Sequence, residues 1–466
     1  MKGTERYTTA WALPVLVLAS FVVHGLTFAY SAFSDDHSAL WNAGVQGIPW
    51  RNGFFRPLSD LTFRIGFLLH GSDAGINRAF NVVLHGINGY LLFRLIREGR
   101  TERMFAASFA ALLFISYPFH QESVVWLVGR ESALGAFSIL AGLCILSGGS
   151  HPTRSWAAAG VLLFGLLCYE SAILLPVMAM PVLAKKERRP SLIAFSLALV
   201  VYVIARTTVV GWAADSYPME LISDPVRILI NVPKVALRSF LPPDPDTHRQ
   251  LWKGLGLAVF FLLIAVLDLR KGWKNISEVP RKWGWWLALA YAIPVLAAVS
   301  TRTSESDRFL YLPSVFLCGY AGLLITRIAS RPLRLTTSAV LILGAIVLTR
   351  AGQVNWRIAS DRTERILSKL PALSPGTRTF VLGLPDAYQG AFIFRNGFTE
   401  AIHLSGKNGD RYIDTDAADI HRSADGSLRV RHRGQDLVVG AKDPWYSWTG
   451  NTFEKRSNEP RVDRIE

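Results

Sequence analysis

Residues 155–184, SWAAAGVLLFGLLCYESAILLPVMAMPVLA, decide how this chain is threaded. The stretch is apolar almost throughout and is broken only at Tyr169-Glu170-Ser171. As one helix it would be ~45 Å long, against a hydrocarbon core of ~30 Å. Two short helices meeting at Glu170 fit that core. They also keep the basic cluster that follows (Lys185, Lys186, Arg188, Arg189) on the same side as the other basic loops.

Similar apolar runs lie at 11–33, 79–96, 104–117, 132–147, 191–210, 251–269, 284–300, 309–326 and 335–349. With the pair at 155–169 and 171–184 the expectation is eleven transmembrane helices. The first run is longer than the apolar region of a signal peptide and is read as retained. Further basic clusters follow the second run (Arg97, Arg100, Arg103), the eighth (Arg270, Lys271, Lys274, Arg281, Lys282) and the tenth (Arg327, Arg331, Arg334). All of them fall on one side if the amino terminus is cytoplasmic.

Composition agrees. Hydrophobic residues make up 50% of the 466 and charged residues 18%, with mean hydropathy +0.27. Those values exclude a disordered or ordinary soluble chain. The net charge of +15 lies in short loops between apolar runs, which argues against nucleic acid as a partner. Cys144, Cys168 and Cys318 sit inside apolar runs, so no disulfide framework is expected.

The chemically unusual residues fall on the opposite face. They occupy 34–78, the loop 118–131, the Glu170 turn, the loop 211–250, residues 301–308 and the tail from about 351. The organisation expected is a membrane domain over 1–350, with surface helices in the outer loop 34–78, and a small extracytoplasmic α+β or β-rich domain over 351–466. Residues 379–384, 390–394 and 427–439 read as strands, and Asn396-Gly397 and Asp425-Gly426 as turns. The charged end from about Thr452 is expected to be loose.

Several groups on that outer face could carry chemistry. Asp35 and Asp36 follow the first run directly; adjacent carboxylates repel, which raises one pKa and favours a proton acceptor. Capping of a helix over 38–44 is the plain alternative. Phe55, Leu58, Leu61, Ile65, Leu68 and Leu69 share one face of an amphipathic surface helix. Arg56, Asp60 and Arg64 form a stripe on it, either an intrahelical ion pair or, through the planar fork of Arg56, a phosphate site. Asn77, Asn81, His85 and Asn88 lie on one face of the second span, as interhelical hydrogen bonding requires. His120 and Glu122 lack the spacing of a metal site and are read as hydrogen-bonding groups. Glu170 is an ionisable residue in apolar sequence. Arg308 stands at an outer helix end, either snorkelling or holding a lipid phosphate.

These landmarks, in this order, resemble the protein O-mannosyltransferase superfamily, particularly the transmembrane and tetratricopeptide-repeat O-mannosyltransferases and their bacterial relatives. The matching pieces are Asp35-Asp36, Phe55-Arg56-Pro57-Leu58 with Leu61-Thr62-Phe63-Arg64, and Asn81-Val82-Val83-Leu84-His85. Tyr117-Pro118-Phe119-His120-Gln121-Glu122 with Gly129-Arg130, Glu170 and Asp307-Arg308-Phe309-Leu310-Tyr311-Leu312-Pro313 complete the set. Tyr169 stands where the family usually has Lys, and the tail carries no tetratricopeptide repeats.

The resemblance implies an all-α polytopic bundle with the C-type glycosyltransferase fold and an inverting transfer of a mannose-like sugar from a polyprenyl-phosphate donor. Asp35 or Asp36 would take the proton of an acceptor hydroxyl, and Arg56, Arg130 or Arg308 would stabilise the leaving phosphate. His120, Glu122, Glu170, His85 and Tyr311 would position sugar or acceptor. No obligatory cofactor is expected, and a divalent metal is not required. The expected partners are the lipid-linked donor, membrane lipid, and a protein, lipid-linked glycan or envelope glycan as acceptor. The compact chain suggests a bacterial inner membrane with the tail in the periplasm. A transporter or flippase of a lipid-linked glycan, or an inactive scaffold, are the alternatives.

Overall fold

The computed structural model describes residues 11–47, 54–98, 100–149, 152–211, 224–246, 248–249, 252–255, 281–297, 299–416, 419–423, 427–432, 435–440 and 442–456. Most of the span expected at 251–269 lies outside them, as do Arg270, Lys271, Lys274 and the turn Asp425-Gly426. The described residues divide into two compact units. The first falls within Met1–Ala29, Pro49–Thr62 and Gly75–Val354, and the second within Tyr30–Ile48, Phe63–Ala74 and Asn355–Glu466. The boundary expected at 350 falls inside one continuous helix, Arg331–Ser368.

Six helices among the described residues are long and apolar enough to cross a bilayer: Ala12–Ala29, Ala74–Arg97, Arg130–Ser147, Lys185–Val210, Asp307–Ile325 and Arg331–Ser368. The chain is an integral membrane protein. Other expected spans form shorter helices, Met104–Ile115, Pro152–Leu166 and Arg281–Leu296. The stretch 155–184 does break at Glu170, where a 3-10 turn Glu170–Leu174 runs into Leu175–Ala179. That second piece is too short for a ~20-residue crossing.

The first unit turns the usual soluble pattern inside out. Leu192, Ile193, Leu197, Val200 and Ile204 are exposed on Lys185–Val210, the surface a lipid-facing helix needs. Its interior holds small residues and paired polar groups: Ala106, Ala107, Ala110 and Ala111 are buried on Met104–Ile115, which packs against Tyr311–Ile325. The polar face of Ala74–Arg97 points inward as expected. Asn77, Asn81, His85 and Asn88 are all buried. Asn81 Nδ2 donates to the Trp126 and Leu127 carbonyls (3.0 and 3.3 Å), and Asn88 Nδ2 to the Ala133 carbonyl at 2.9 Å.

The second unit contains a four-stranded sheet. Its strands, in spatial order, are β4 (Tyr412–Thr415), β1 (Thr379–Leu382), β8 (Trp445–Trp448) and β9 (Phe453–Lys455). β1 runs parallel to β4 and β8, while β9 is antiparallel to β8. Between β1 and β4 lie a hairpin, β2 (Ala387–Tyr388) with β3 (Ala391–Phe392), and the helix Phe398–Leu404. The alternating stretch 427–439 folds back on itself as β6 (Leu428–His432) and β7 (Gln435–Val438), with β5 (Ile420–Arg422) alongside. Phe380, Leu382, Ile413, Ile420, Leu428, Val430 and Trp445 form the core. The end expected to be loose is ordered through β9, because Phe453 packs on Trp448 with ring centroids 4.9 Å apart.

Candidate active site

In the first unit, proline places one key cation. Pro57 opens the helix Pro57–His70, and the residue before a proline is held extended, so Arg56 lies just ahead of the helix with its side chain free to turn inward. It does not pair along its own helix. Its Nε contacts both Glu170 oxygens at 3.2 Å, one terminal nitrogen donates to Glu170 Oε2 at 2.8 Å, and the other pairs with Glu131. The rings of Phe54 and Tyr169 lie 4.2 and 4.7 Å from the guanidinium. Burial alone would weaken its charge. Glu131 and Glu170 outweigh that and hold the Arg56 pKa above its ordinary value.

The second cation, Arg308, follows Ser306, whose φ of 74° turns the chain into the 3-10 turn Asp307–Leu310. Its backbone N–H donates to Glu122 Oε2 at 3.0 Å and its guanidinium pairs with the same carboxylate. Arg308 is 28% exposed at the side chain whereas Glu122 is sealed, so the cation is the open end of the pair. Gly129 explains why Glu122 sits where it does. A Cβ at that position would run into the Glu122 carbonyl oxygen, so the close crossing of the loop over itself needs glycine.

Arg130 behaves differently. It is buried and hydrogen-bonds the Leu127 carbonyl (3.1 Å), Thr62 Oγ1 (3.2 Å) and the Asn77 carbonyl (3.0 Å). His85, His120 and Tyr311 are also sealed. His85 Nδ1 lies 2.8 Å from the Tyr311 hydroxyl, to which Asn88 Nδ2 donates at 3.1 Å, and His120 Nε2 lies 2.7 Å from Ser314 Oγ. Burial, with His85 and His24 adding to it, pushes the His120 imidazole well below its ordinary pKa. Among the described residues no three His, Cys, Asp or Glu side chains gather as a metal site.

The acid pair belongs to the second unit. Asp35 and Asp36 start the helix Asp35–Ala39, three residues earlier than the helix expected from 38, and a π-helical turn Leu40–Gln46 continues it. Asp36 is fully buried, and its Oδ2 accepts the Phe33 N–H at 3.1 Å. Asp35 is half-buried. His37 beside them is buried against Phe394, with ring centroids 5.9 Å apart, and burial pushes its pKa down to about 4. Arg64, from the expected stripe, donates to the Gly44 carbonyl rather than to Asp60.

Three participants carried no assignment from sequence. Glu131 and His24 are ionisable residues in apolar surroundings, the same signal that singled out Glu170. Arg238 gave no signal. It ends a helix, Pro225–Arg238, inside the stretch 211–250 that was expected to be a loop, and its partner Asp307 is 69 positions away.

These features define a polytopic membrane protein with buried carboxylate–guanidinium pairs. The chain belongs to the family described as a domain of unknown function (DUF6311), which matches residues 47–315. It is similar to protein O-mannosyl-transferase Tmtc2 of Drosophila melanogaster, 31% identical over 185 residues, which are 33% of this chain and 19% of that protein. Over 140 residues it is 31% identical to protein O-mannosyl-transferase TMTC1 of Homo sapiens, 30% of this chain and 15% of the relative. The match thus spans less than a fifth of either relative's length. Among solved structures it is similar to ArnT from Cupriavidus metallidurans bound to undecaprenyl phosphate: 14% identity, TM-score 0.49, and 88% and 89% of the two chains covered.

Proposed function

We propose that this protein is an inverting membrane glycosyltransferase that moves a mannose-like sugar from a polyprenyl-phosphate donor to an acceptor hydroxyl on the outer, periplasmic face. One observation carries the reading. Two arginines, Arg56 and Arg308, are held by three carboxylates, Glu131, Glu170 and Glu122, in a chain similar to O-mannosyl-transferases. Arginine forks suit a phosphate that arrives with its lipid still in the bilayer. At 27% exposed, Glu170 is the most open of the three carboxylates and is the one an incoming phosphate displaces.

The acceptor O–H gives its proton to a carboxylate while its oxygen attacks the anomeric carbon from the face opposite the phosphate. The carbon–oxygen bond to phosphate breaks, the configuration inverts, and polyprenyl monophosphate leaves with its charge on Arg56 and Arg308. Asp35 is the base in this scheme, because it is half-buried whereas Asp36 is fully buried. In this scheme Arg130, His85, His120 and Tyr311, all buried, act as positioning residues. The arginines provide the positive charge, so the scheme needs no metal.

The test is transfer of labelled sugar from polyprenyl-phosphate mannose by the purified, full-length protein in lipid nanodiscs. Asp35→Asn is expected to lower kcat by ~10²–10⁴, the usual contribution of a general base. Full activity in both Asp35→Asn and Asp36→Asn refutes the assignment.

A further inference from the structure

The acid pair is reached through a strained residue that the tail grips. Ser34 has φ of 45°, a region serine enters reluctantly and keeps only where its surroundings impose it. All three of its polar atoms are engaged. Its N–H donates to the Ile393 carbonyl at 3.0 Å, its Oγ accepts the Asn396 N–H at 3.1 Å, and its carbonyl accepts the His37 N–H at 3.0 Å. Two of those three partners come from the tail, some 360 positions away.

The next tail residue, Gly397, lies directly against the Ser34 carbonyl. A Cβ there would collide with that oxygen, and its own φ of 80° is one that favours glycine. The grip extends to either side. The Ser31 N–H donates to Ser360 Oγ at 2.8 Å, Phe33 packs edge-on against Trp356 at 5.0 Å, His37 stacks on Phe394, and Trp41 stacks on His403 at 4.6 Å. These long-range contacts flank the residue before Asp35 on both sides.

We propose that the tail segment 393–398 is a positioning device for the acid pair: by holding Ser34 in its positive-φ conformation it sets the direction in which the Asp35 and Asp36 side chains leave the backbone. The tail then serves the reaction itself, and Ser34, Asn396 and Gly397 are positioning residues. This rests on the reading of the acid pair as the proton acceptor. Because the Ser34 turn fixes both Cα–Cβ directions that follow, a small rotation there displaces a carboxylate by about an ångström, a misplacement that can cost ~100-fold in rate.

The experiment compares Gly397→Ala and Ser34→Ala with Asp443→Ala, using the full chain in nanodiscs and the hexose donor that the wild-type protein turns over. Gly397→Ala pushes on the Ser34 carbonyl. Ser34→Ala is milder and only takes the acceptor from the Asn396 N–H, so it decides the matter if Gly397→Ala does not fold. Asp443 ties the tail elsewhere, accepting the Arg378 and Gly440 N–H groups at 2.9 and 2.8 Å. The expected result is a ~10–100-fold fall in kcat for the first two, with donor KM within about twofold and the acid limb of the pH–rate profile displaced. Asp443→Ala should lower the melting temperature and leave kcat unchanged. Wild-type kcat in both Ser34→Ala and Gly397→Ala, or an equal loss in Asp443→Ala, overturns the inference while Asp35→Asn remains inactive. Activity in both Asp35→Asn and Asp36→Asn instead removes the acid-pair reading beneath it.

Discussion

Among the described residues Arg238 and Asp307 form the most deeply buried ion pair, with side chains 1% and 3% exposed. One guanidinium nitrogen contacts both carboxylate oxygens, at 2.5 and 2.6 Å, and another donates to the Leu241 carbonyl at 3.1 Å. The Phe119 ring lies 4.3 Å from the guanidinium. Removing one partner strands the other charge away from water, so Arg238→Met or Asp307→Leu alone should cost ~3–5 kcal/mol. Removing both strands nothing, and the double variant should return to within ~1 kcal/mol of the wild type. A double-mutant cycle, read by denaturant titration of the protein in mixed micelles, should therefore show a coupling of about 3 kcal/mol or more. If each single variant lies within ~1 kcal/mol of the wild type and the effects simply add, the pair is solvated in the membrane protein and the argument from burial is wrong.

Tyr311→Phe removes the one hydroxyl shared by His85 and Asn88, leaving two buried polar groups short of a partner. A loss of ~1–3 kcal/mol is expected by the same titration, and unchanged stability would deny those histidine contacts a structural role. The second unit should be acid-sensitive through His37. Its folded pKa of about 4 lies below the ordinary 6.5, so an unfolded chain takes up the proton first as pH falls. Its contribution is intact above pH ~6.5 and is lost as pH falls toward 4, a total of ~3 kcal/mol. Melting curves of His37→Gln should lack that part of the slope; an unaltered slope would place the acid sensitivity elsewhere.

The inward polar face of residues 77–88 was legible because a helix repeats every 3.6 residues and lipid accepts no bare amides. The break at Glu170 was legible for a similar reason, since a bilayer cannot hold a single helix that long. Arg56 was visible as a cation before a proline, but not its partners. Its stripe with Asp60 and Arg64 satisfied the spacing rule, yet its guanidinium pairs with Glu131 and Glu170 instead. Arg130, equally suited to phosphate by type, proved to be spent on two carbonyls and a hydroxyl.

Sequence alone therefore determined what repeats locally: the apolar runs, the faces of individual helices, the alternating stretches of the tail and the adjacency of Asp35 to Asp36. Tertiary structure decided which charges meet and which backbone turns are imposed. The grip of one Arg238 nitrogen on both Asp307 oxygens and the hold of Ile393, Asn396 and Gly397 on Ser34 join distant positions. Local periodicity follows from the geometry of one helix or strand, whereas a pairing across hundreds of residues depends on how the whole chain packs, and no spacing rule encodes it.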